Sequence, residues 1–297
     1  MAETAPRSLL FVPADSERKR DKALDSGADA IILDLEDSVA LGEKQRAREI
    51  VAEFLVSRPE TGPKVYVRVN AFDSGLAEAD LAVFSGACPD CVVLPKCRSG
   101  ADVQKLDALL RVAEAEAGIV DGRTAILPIA TETADAVFQL GTYSDAGPRL
   151  IGLSWGAEDL SADIAALANR DETGRMTEPF RLVRSLCLFG AVAAGTAPID
   201  TVYVDFRNEE GLIREVEEAA RDGFLGKLAI HPAQVAPINQ AFTPSDAQIA
   251  EAEAVIAAVN DAAGMGVASL NGQMIDRPHV VRAERLLARA QSAKARP

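Results

Sequence analysis

The chain has 297 residues, 48% of them apolar, enough to bury a full core; one barrel of about 250 residues with an extension accounts for this length better than two small domains. Its 31 basic and 45 acidic residues leave a net charge of −14, which excludes nucleic acid and anionic lipid as bulk partners. An anionic small molecule stays admissible, because a local rim of Arg and Lys can make a positive pocket inside an acidic protein.

Met1 to Arg7 carries no apolar core of signal-peptide length and no apolar run is long enough to span a bilayer, so a soluble, cytoplasmic protein is expected. Ser8 to Val12 (SLLFV) reads as a strand, Ser16 to Ser26 as a polar helix and Ala30 to Leu35 (AIILDL) as the next strand. Strand-type runs recur at Val65 to Val69, Cys91 to Leu94, Ala125 to Ile129, Leu150 to Leu153, Thr201 to Val204 and Lys227 to Ile230, eight in all. Amphipathic stretches such as Lys44 to Leu55, Asp102 to Ala117 and Glu209 to Arg221 supply crossover helices. Repeated right-handed βα units of this number close as a (β/α)8 TIM barrel, an α/β fold. The long gap between the sixth and seventh runs holds two helices' worth of chain around the polar loop Asn169 to Thr177, read as an inserted rim segment.

The pattern changes after the eighth run, so the barrel is assigned to residues 1–240 and a C-terminal helical extension to 241–297. Pro244 to Ala263 reads as an Ala-rich helix capped by Ser245 and stopped by Gly264 and Gly266. A turn-rich segment around Asn271-Gly272 follows, and helical periodicity resumes from Pro278 to Ala293. Four cysteines do not make a disulfide scaffold, and Cys88-Pro-Asp-Cys91 with Cys97 is half of a metal ribbon at most, so these thiols are read as structural.

Active sites of such barrels sit where the strands end, so the residues ending each run are the candidates. Glu132 follows the fifth run and Asp159 the sixth; on neighbouring strands they can share a Mg2+ ion, although both can equally cap the helices that follow. Asp34, Glu36 and Asp37 crowd three acids after the second run, where repulsion calls for a cation or hydrogen-bond donors; they read as outer partners of metal-bound water or, for Glu36 or Asp37 pointing outward, as a solvated loop, and spacing does not say which points inward. Arg68 stands in an otherwise apolar strand, where an anionic partner is required, and its planar fork suits a substrate carboxylate better than a structural ion pair. Lys96 adds positive charge or pairs with a rim acid. Arg7 precedes its strand, which leaves the opposite end of the barrel open as its place. Asp205 and His231 are rim candidates or structural groups with equal claim. Only His231 and His279 exist, which excludes a His-rich metal site. Nucleophile elbow, Walker loop and dinucleotide fingerprint are all missing.

Taken together, Arg7-Ser-Leu-Leu-Phe-Val-Pro13, Asp34-Leu-Glu-Asp-Ser-Val39, Val67-Arg-Val-Asn70, Leu94-Pro-Lys96, Gly156-Ala-Glu-Asp-Leu160 and Leu270-Asn-Gly-Gln-Met-Ile-Asp276 resemble the CitE-like acyl-CoA lyases of the citrate lyase β-subunit/HpcH-HpaI superfamily, whose relatives include malyl-CoA and citramalyl-CoA lyases. The resemblance runs from Arg7 to about Ala290 with the motifs in order. It implies a (β/α)8 barrel, often trimeric, with Mg2+ (or Mn2+) on Glu132 and Asp159 and the acid's carboxylate on Arg68. It further implies that Asp276, in a neighbouring subunit's tail, completes the active site. Retro-Claisen cleavage of a 3-hydroxyacyl-CoA of the malyl-, citramalyl- or citryl-CoA type to an acyl-CoA and a 2-oxo acid is the implied reaction, with Asp276 protonating the enolate carbon and Arg68, Arg7, Lys96, Glu36 and Asp37 around the substrate. A CoA-independent 2-oxo acid aldolase, a malyl-CoA-type thioesterase and a subunit of a citrate lyase complex are the alternatives. Thr131-Glu132-Thr133 replaces the family's frequent Ile-Glu, which leaves the metal ligand in place and hints at a subgroup with a different acid or acyl group, and Gln273 stands where a Lys is frequent, a departure that bears on the CoA contacts near the tail.

Overall fold

The computed structural model describes residues 5–261 and 268–294. Eight strands alternate with helices: β1 (Ser8–Pro13), β2 (Ala30–Asp34), β3 (Lys64–Arg68), β4 (Cys91–Leu94), β5 (Ala125–Pro128), β6 (Gly152–Ser154), β7 (Ala197–Asp200) and β8 (Gly226–Ala229). Between them run α1 (Glu17–Leu24), α2 (Lys44–Ser57), α3 (Ala77–Leu81), α4 (Gly100–Glu116), α5 (Ala134–Val137), α6 (Ala157–Asp163), α7 (Glu178–Ala193) and α8 (Glu209–Asp222). All pairings among the eight strands are parallel, in the order β5-β4-β3-β2-β1-β8-β7-β6. Parallel bridges Ile126↔Leu150 and Ile129↔Ser154 join β5 to β6 and close the ring, so the expected TIM barrel is the fold observed.

Strand parity explains the core. Leu9, Ile32, Tyr66, Val93, Leu127 and Ile199 come from alternating positions and meet inside the barrel, while the intervening residues face the helices. Burying these side chains on both faces of the sheet is what makes the strands read as continuous apolar runs.

One strand is displaced from its expectation. The seventh is Ala197-Pro-Ile-Asp200, and Thr201 to Val204, the run expected there, is irregular chain beyond its end. Pro198 disguises the strand because proline removes a ladder donor. Its carbonyl still accepts from Leu225 N at 2.9 Å, so the position costs only the missing N–H. The rim segment expected after β6 comprises α6, the loop closed by the antiparallel bridge Arg170↔Met176, and α7.

The chain divides into two compact units, Met1–Asn239 and Gln240–Pro297. α9 (Val235–Phe242) runs through that boundary. The second unit contains α10 (Asp246–Asp261), a hairpin of β9 (Ala268–Leu270) and β10 (Gln273–Ile275), and α11 (Arg277–Lys294). Ser245 caps α10 as expected and forms a capping box: its Oγ accepts from Gln248 N at 3.3 Å while Gln248 Oε1 accepts from Ser245 N at 2.9 Å. Asn271 and Gly272, both with positive φ, make the hairpin turn. Gly264 and Gly266, expected to stop α10, lie outside the described residues. Among the described residues no helix is long and apolar enough to cross a membrane.

The β5–β6 seam, held by few bridges, is buttressed at its N-terminal end by buried charge. Arg149, 4% exposed, donates to Glu114 Oε1 at 2.8 Å and Oε2 at 2.6 Å and to Thr124 O at 2.9 Å. Burial alone would raise the Glu114 carboxyl, but the Arg149 hydrogen bonds and the amides of Thr124 and Gly122 outweigh it and hold the group down at about 2. Its contribution to stability is therefore complete above the ordinary carboxylate range and lost as pH falls from about 4.5 toward 2. Glu114→Gln leaves Arg149 buried without its main counter-charge and is expected to cost about 3–5 kcal/mol near neutral pH. Thermal denaturation across the acid limb checks this: wild type and variant should converge as pH approaches 2, and a gap that stays constant would refute the assignment.

Candidate active site

The parity that fills the barrel also aims its last polar side chains. Ala30 and Ile32 face inward, so Asp34, two residues on, projects into the barrel mouth; Tyr66 places Arg68 there in the same way, and the two are register partners across β2 and β3. Arg68 grips Asp34 through two parallel bonds, Nε to Oδ1 and Nη2 to Oδ2, both 2.7 Å. Its Nη1 lies 2.8 Å from Glu36 Oε2. The guanidinium also stacks 4.7 Å from the centre of the Phe11 ring. Burial opposes the charge on Arg68, yet its hydrogen bonds to Asp34 and the charge of Glu36 outweigh that and raise its pKa. For Asp34 too, burial is outweighed by the Arg68 bonds, and its carboxyl is lowered.

Lys96, after β4, takes a left-handed conformation at φ 49, uncommon for a residue with a side chain. That bend points its backbone N–H at Glu132, whose Oε2 accepts from it. Its ammonium reaches Glu36 Oε1 at 2.5 Å, Asp159 Oδ1 at 3.3 Å and Asp37 Oδ2 at 3.6 Å. Lys96 thus touches both candidate metal ligands, and Glu36 first, then Asp159 and Asp37, raise its pKa against the opposing effect of burial.

Glu132 is 3% exposed and is not the cap of the helix after β5; Thr133 is, accepting from Ala136 N at 3.4 Å. Burial first, and then the charges of Asp159 and Glu36, push its carboxyl up to about 8 against the pull of the Lys96 amide. Asp159 lies in the first turn of α6, at the end of the neighbouring strand, and is one-third exposed. A Cβ added to Gly156 would stand 2.5 Å from Glu132 Cγ, so this glycine makes the space in which the Glu132 side chain lies. The buried Ser154 hydroxyl at the end of β6 has no hydrogen-bond partner in the protein.

These features fit a hard divalent cation. Two oxygen-donor carboxylates converge at adjacent strand ends, the buried one disfavoured as an anion until more positive charge is supplied, with an unengaged hydroxyl nearby. Among the described residues no group of three or more metal-ligating side chains forms. A two-carboxylate set that leaves positions for water and substrate is the way Mg2+ is commonly held.

Other expected residues fall elsewhere. Asp37 is 60% exposed and reaches the cluster only through Lys96. Arg7 is not brought to the mouth: its backbone N and guanidinium bind Asp29 at 2.7 to 3.0 Å, at the N-terminal end of β1 and β2, because the chain enters the barrel there. Asp205 is exposed in the loop after β7. His231 is structural, its Nδ1 accepting from Ala233 N at 3.2 Å and its ring stacked 4.7 Å from Phe206. The four cysteines are free and buried, and burial raises every thiol, to about 12 for Cys97, so they are inert. Asp276 lies in the second unit, its backbone carbonyl opening α11 and its Oδ1 2.5 Å from His279 Nδ1; both side chains are about one-third exposed.

Lys44 escaped sequence reasoning. At the start of α2 it looks like a solvated helix charge, but it is 8% exposed and donates to Leu35 O at 2.6 Å, Glu36 O at 2.7 Å and Asn70 Oδ1 at 2.9 Å. Asn70 is held by Asp80, and Asp80 by Arg48, so a buried chain of polar groups fixes the backbone that carries Glu36. No periodicity distinguishes such a lysine from its exposed neighbours. The only available signal is Asn70 directly after an apolar strand.

Known proteins share this architecture over nearly the whole length. The chain is 37% identical to a (3S)-malyl-CoA thioesterase of Cereibacter sphaeroides (strain KD131), covering 97% of this chain and 96% of that protein. It is 34% identical to the mitochondrial citramalyl-CoA lyase of Rattus norvegicus, with 97% and 87% covered. The crystal structure of the protein CitE from Mycobacterium tuberculosis, in complex with magnesium, acetoacetate and coenzyme A, superposes with a TM-score of 0.79 at 33% identity, over 97% of this chain and 99% of that one. Residues 7–232 match the model of the HpcH/HpaI aldolase/citrate lyase family, and the chain belongs to that family.

Proposed function

We propose that this protein is a Mg2+-dependent carbon–carbon lyase that cleaves a 3-hydroxyacyl-CoA of the malyl-, citramalyl- or citryl-CoA type to an acyl-CoA and a 2-oxo acid. The observation that carries the reading is the pairing, at one barrel mouth, of a doubly anchored guanidinium with two carboxylates at adjacent strand ends. Glu132 and Asp159 are the residues that would hold the ion, Mg2+ or Mn2+. Bound there, a divalent cation supplies Lewis-acid polarisation of the substrate oxygens.

The chain's own groups account for the rest. Arg68 spends two of its five N–H groups in hydrogen bonds to Asp34 and holds Glu36 as an ion pair without a hydrogen bond, and its other N–H groups are available to the carboxylate of the 2-oxo acid portion. Being already locked in place, the fork loses little freedom on binding, and its charge favours ionisation of the substrate hydroxyl beside that carboxylate. Lys96 keeps the carboxylate cluster compact and adds positive charge. When the hydroxyl proton passes to solvent water, its oxygen becomes the carbonyl of the 2-oxo acid, the carbon–carbon bond breaks and the electron pair passes to the α-carbon of the thioester. Asp276 then delivers the proton that this carbon needs, and in condensation the same carboxylate removes it. The position of Asp276 on a C-terminal tail supports its delivery from a neighbouring subunit of a homotrimer, and the cytoplasm, where CoA esters and divalent cations are plentiful, is the assigned compartment.

Purified protein supplied with malyl-CoA, citramalyl-CoA or citryl-CoA and Mg2+ should release a 2-oxo acid, and EDTA should abolish the release. Turnover of a free 4-hydroxy-2-oxo acid alone would move the chain to the aldolase branch, and free CoA without a 2-oxo acid would mark a thioesterase. Asp276→Asn should retain its melting temperature and metal affinity while turnover falls by roughly 10²–10⁴-fold, the range for a lost general acid; undiminished turnover refutes the role. Gly156→Ala should drive the Glu132 side chain from its place and weaken Mg2+ binding by about tenfold or more, as a displaced ligand group implies, measured by titration calorimetry.

A further inference from the structure

A second concavity lies outside the barrel, between α7, α8 and the loop after α6. It has a volume of about 440 Å³, within the range of small-molecule sites, and its lining includes Arg175, Arg181, Arg184 and Arg214 beside Trp155 and Tyr203. We propose that this cavity binds a small polyanion, a compound with two or more phosphate or carboxylate groups, at a site distinct from the barrel mouth.

The argument rests on charge that the cavity leaves uncompensated. Its acidic lining residues are Glu215 and Glu218. Glu215 is satisfied by Lys227 Nζ at 2.9 Å and Arg170 Nη1 at 2.6 Å. Glu218 lies 3.8 Å from Arg184 and 4.0 Å from Arg221. Arg184 is committed to Asp200 at 3.1 Å and Asp222 at 3.3 Å. Arg175 and Arg214 make no ion pair among the described residues, and Arg181 has only a 3.5 Å contact with the exposed Glu178. Three arginines therefore line one pocket without a close ion pair other than the Glu178 contact, Arg175 having only the longer-range charge of Asp171 beside it, in a protein whose net charge is −14. Exposed arginines singly are ordinary solvated surface; several facing one concavity form a focused positive potential that selects anions with more than one acidic group.

The walls are also built in advance. Asp171 Oδ1 accepts from Thr173 N at 2.9 Å, Thr173 Oγ1 at 2.6 Å and Arg175 N at 3.0 Å, which folds the loop so as to present Arg175. On the inner side the Trp155 indole donates to Asp200 Oδ1 at 2.8 Å, and Asp200 is itself tied to Lys227 and Arg184. Ordering that is already complete before binding does not subtract from affinity.

Trp155 is the only tryptophan of the chain and lines this cavity, so its fluorescence reports binding there, and because it also adjoins Gly156 the Arg68 variant separates that signal from binding at the mouth. Titration of the full-length, metal-free protein with inorganic pyrophosphate and, separately, with tricarballylate should give a saturable change for at least one of them, and the responding probe separates a phosphate site from a carboxylate site. The double variant Arg175→Ala/Arg214→Ala, checked for an unchanged melting temperature, should bind roughly tenfold or more weakly, as loss of charge-assisted hydrogen bonds implies. Arg68→Lys, which keeps a positive charge beside Asp34 and Glu36 and is checked for an unchanged melting temperature, should bind as the wild type does. The proposal is overturned by the absence of saturable binding of either probe, by equal affinity in the double variant, or by loss of binding in folded Arg68→Lys.

Discussion

The mouth of this barrel is governed by the need to bury several charges within a few ångströms of one another. Asp34 and Glu36 sit at 1% and 5% exposure and are tolerable there only because Arg68 spans both. The same bonds that solve the desolvation problem immobilise the guanidinium, so the structural and the functional demands on Arg68 coincide. Lys96 extends the balance to Asp159, and Lys44 anchors the backbone under Glu36. What is left over is negative: Glu132, buried, meets the charges of Asp159 and Glu36, and the amide and charge of Lys96 offset only part of that cost. The surplus carboxylate, rather than any single ligand, is what suits this arrangement to the hard cation proposed for it.

Both ends of the β5–β6 seam carry this kind of chemistry for opposite purposes. At the N-terminal end, Arg149 and Glu114, together with Asp107, Asp121 and the backbone of Gly122 and Thr124, satisfy one another and close the ring where few bridges join the strands. At the C-terminal end, Glu132 and Asp159 belong to the same two βα units and lack full compensation. Frustration is confined to the end where parallel barrels carry their active sites, and stability is invested at the other.

The fold was legible because strand parity and βα spacing are local properties. Eight apolar runs and their crossover lengths suffice to name a barrel, and the one misplaced strand carries a proline that conceals its pattern. The rim acids were legible for the same reason: a polar residue directly after an apolar run has few places to go. Arg7 shows the limit of that logic, since nearness to a strand is not nearness to its correct end, and its pairing with Asp29 belongs to the entry side of the barrel. Asp34 was visible as one of three acids, but its service to Arg68 was not, because the two are 34 positions apart and meet only through register.

By itself the amino-acid sequence determined the barrel, the identity of its rim residues and the family, since each depends on patterns read along the chain. Tertiary structure alone decided which acids point inward, that Lys96 touches both candidate ligands, that Gly156 opens the space for Glu132, and that Lys44 is buried. It also gathered four arginines from a loop and two helices around one cavity. The physical reason is common to all of these: desolvation and pairing are set by distances between groups remote in the chain, and no local pattern encodes them.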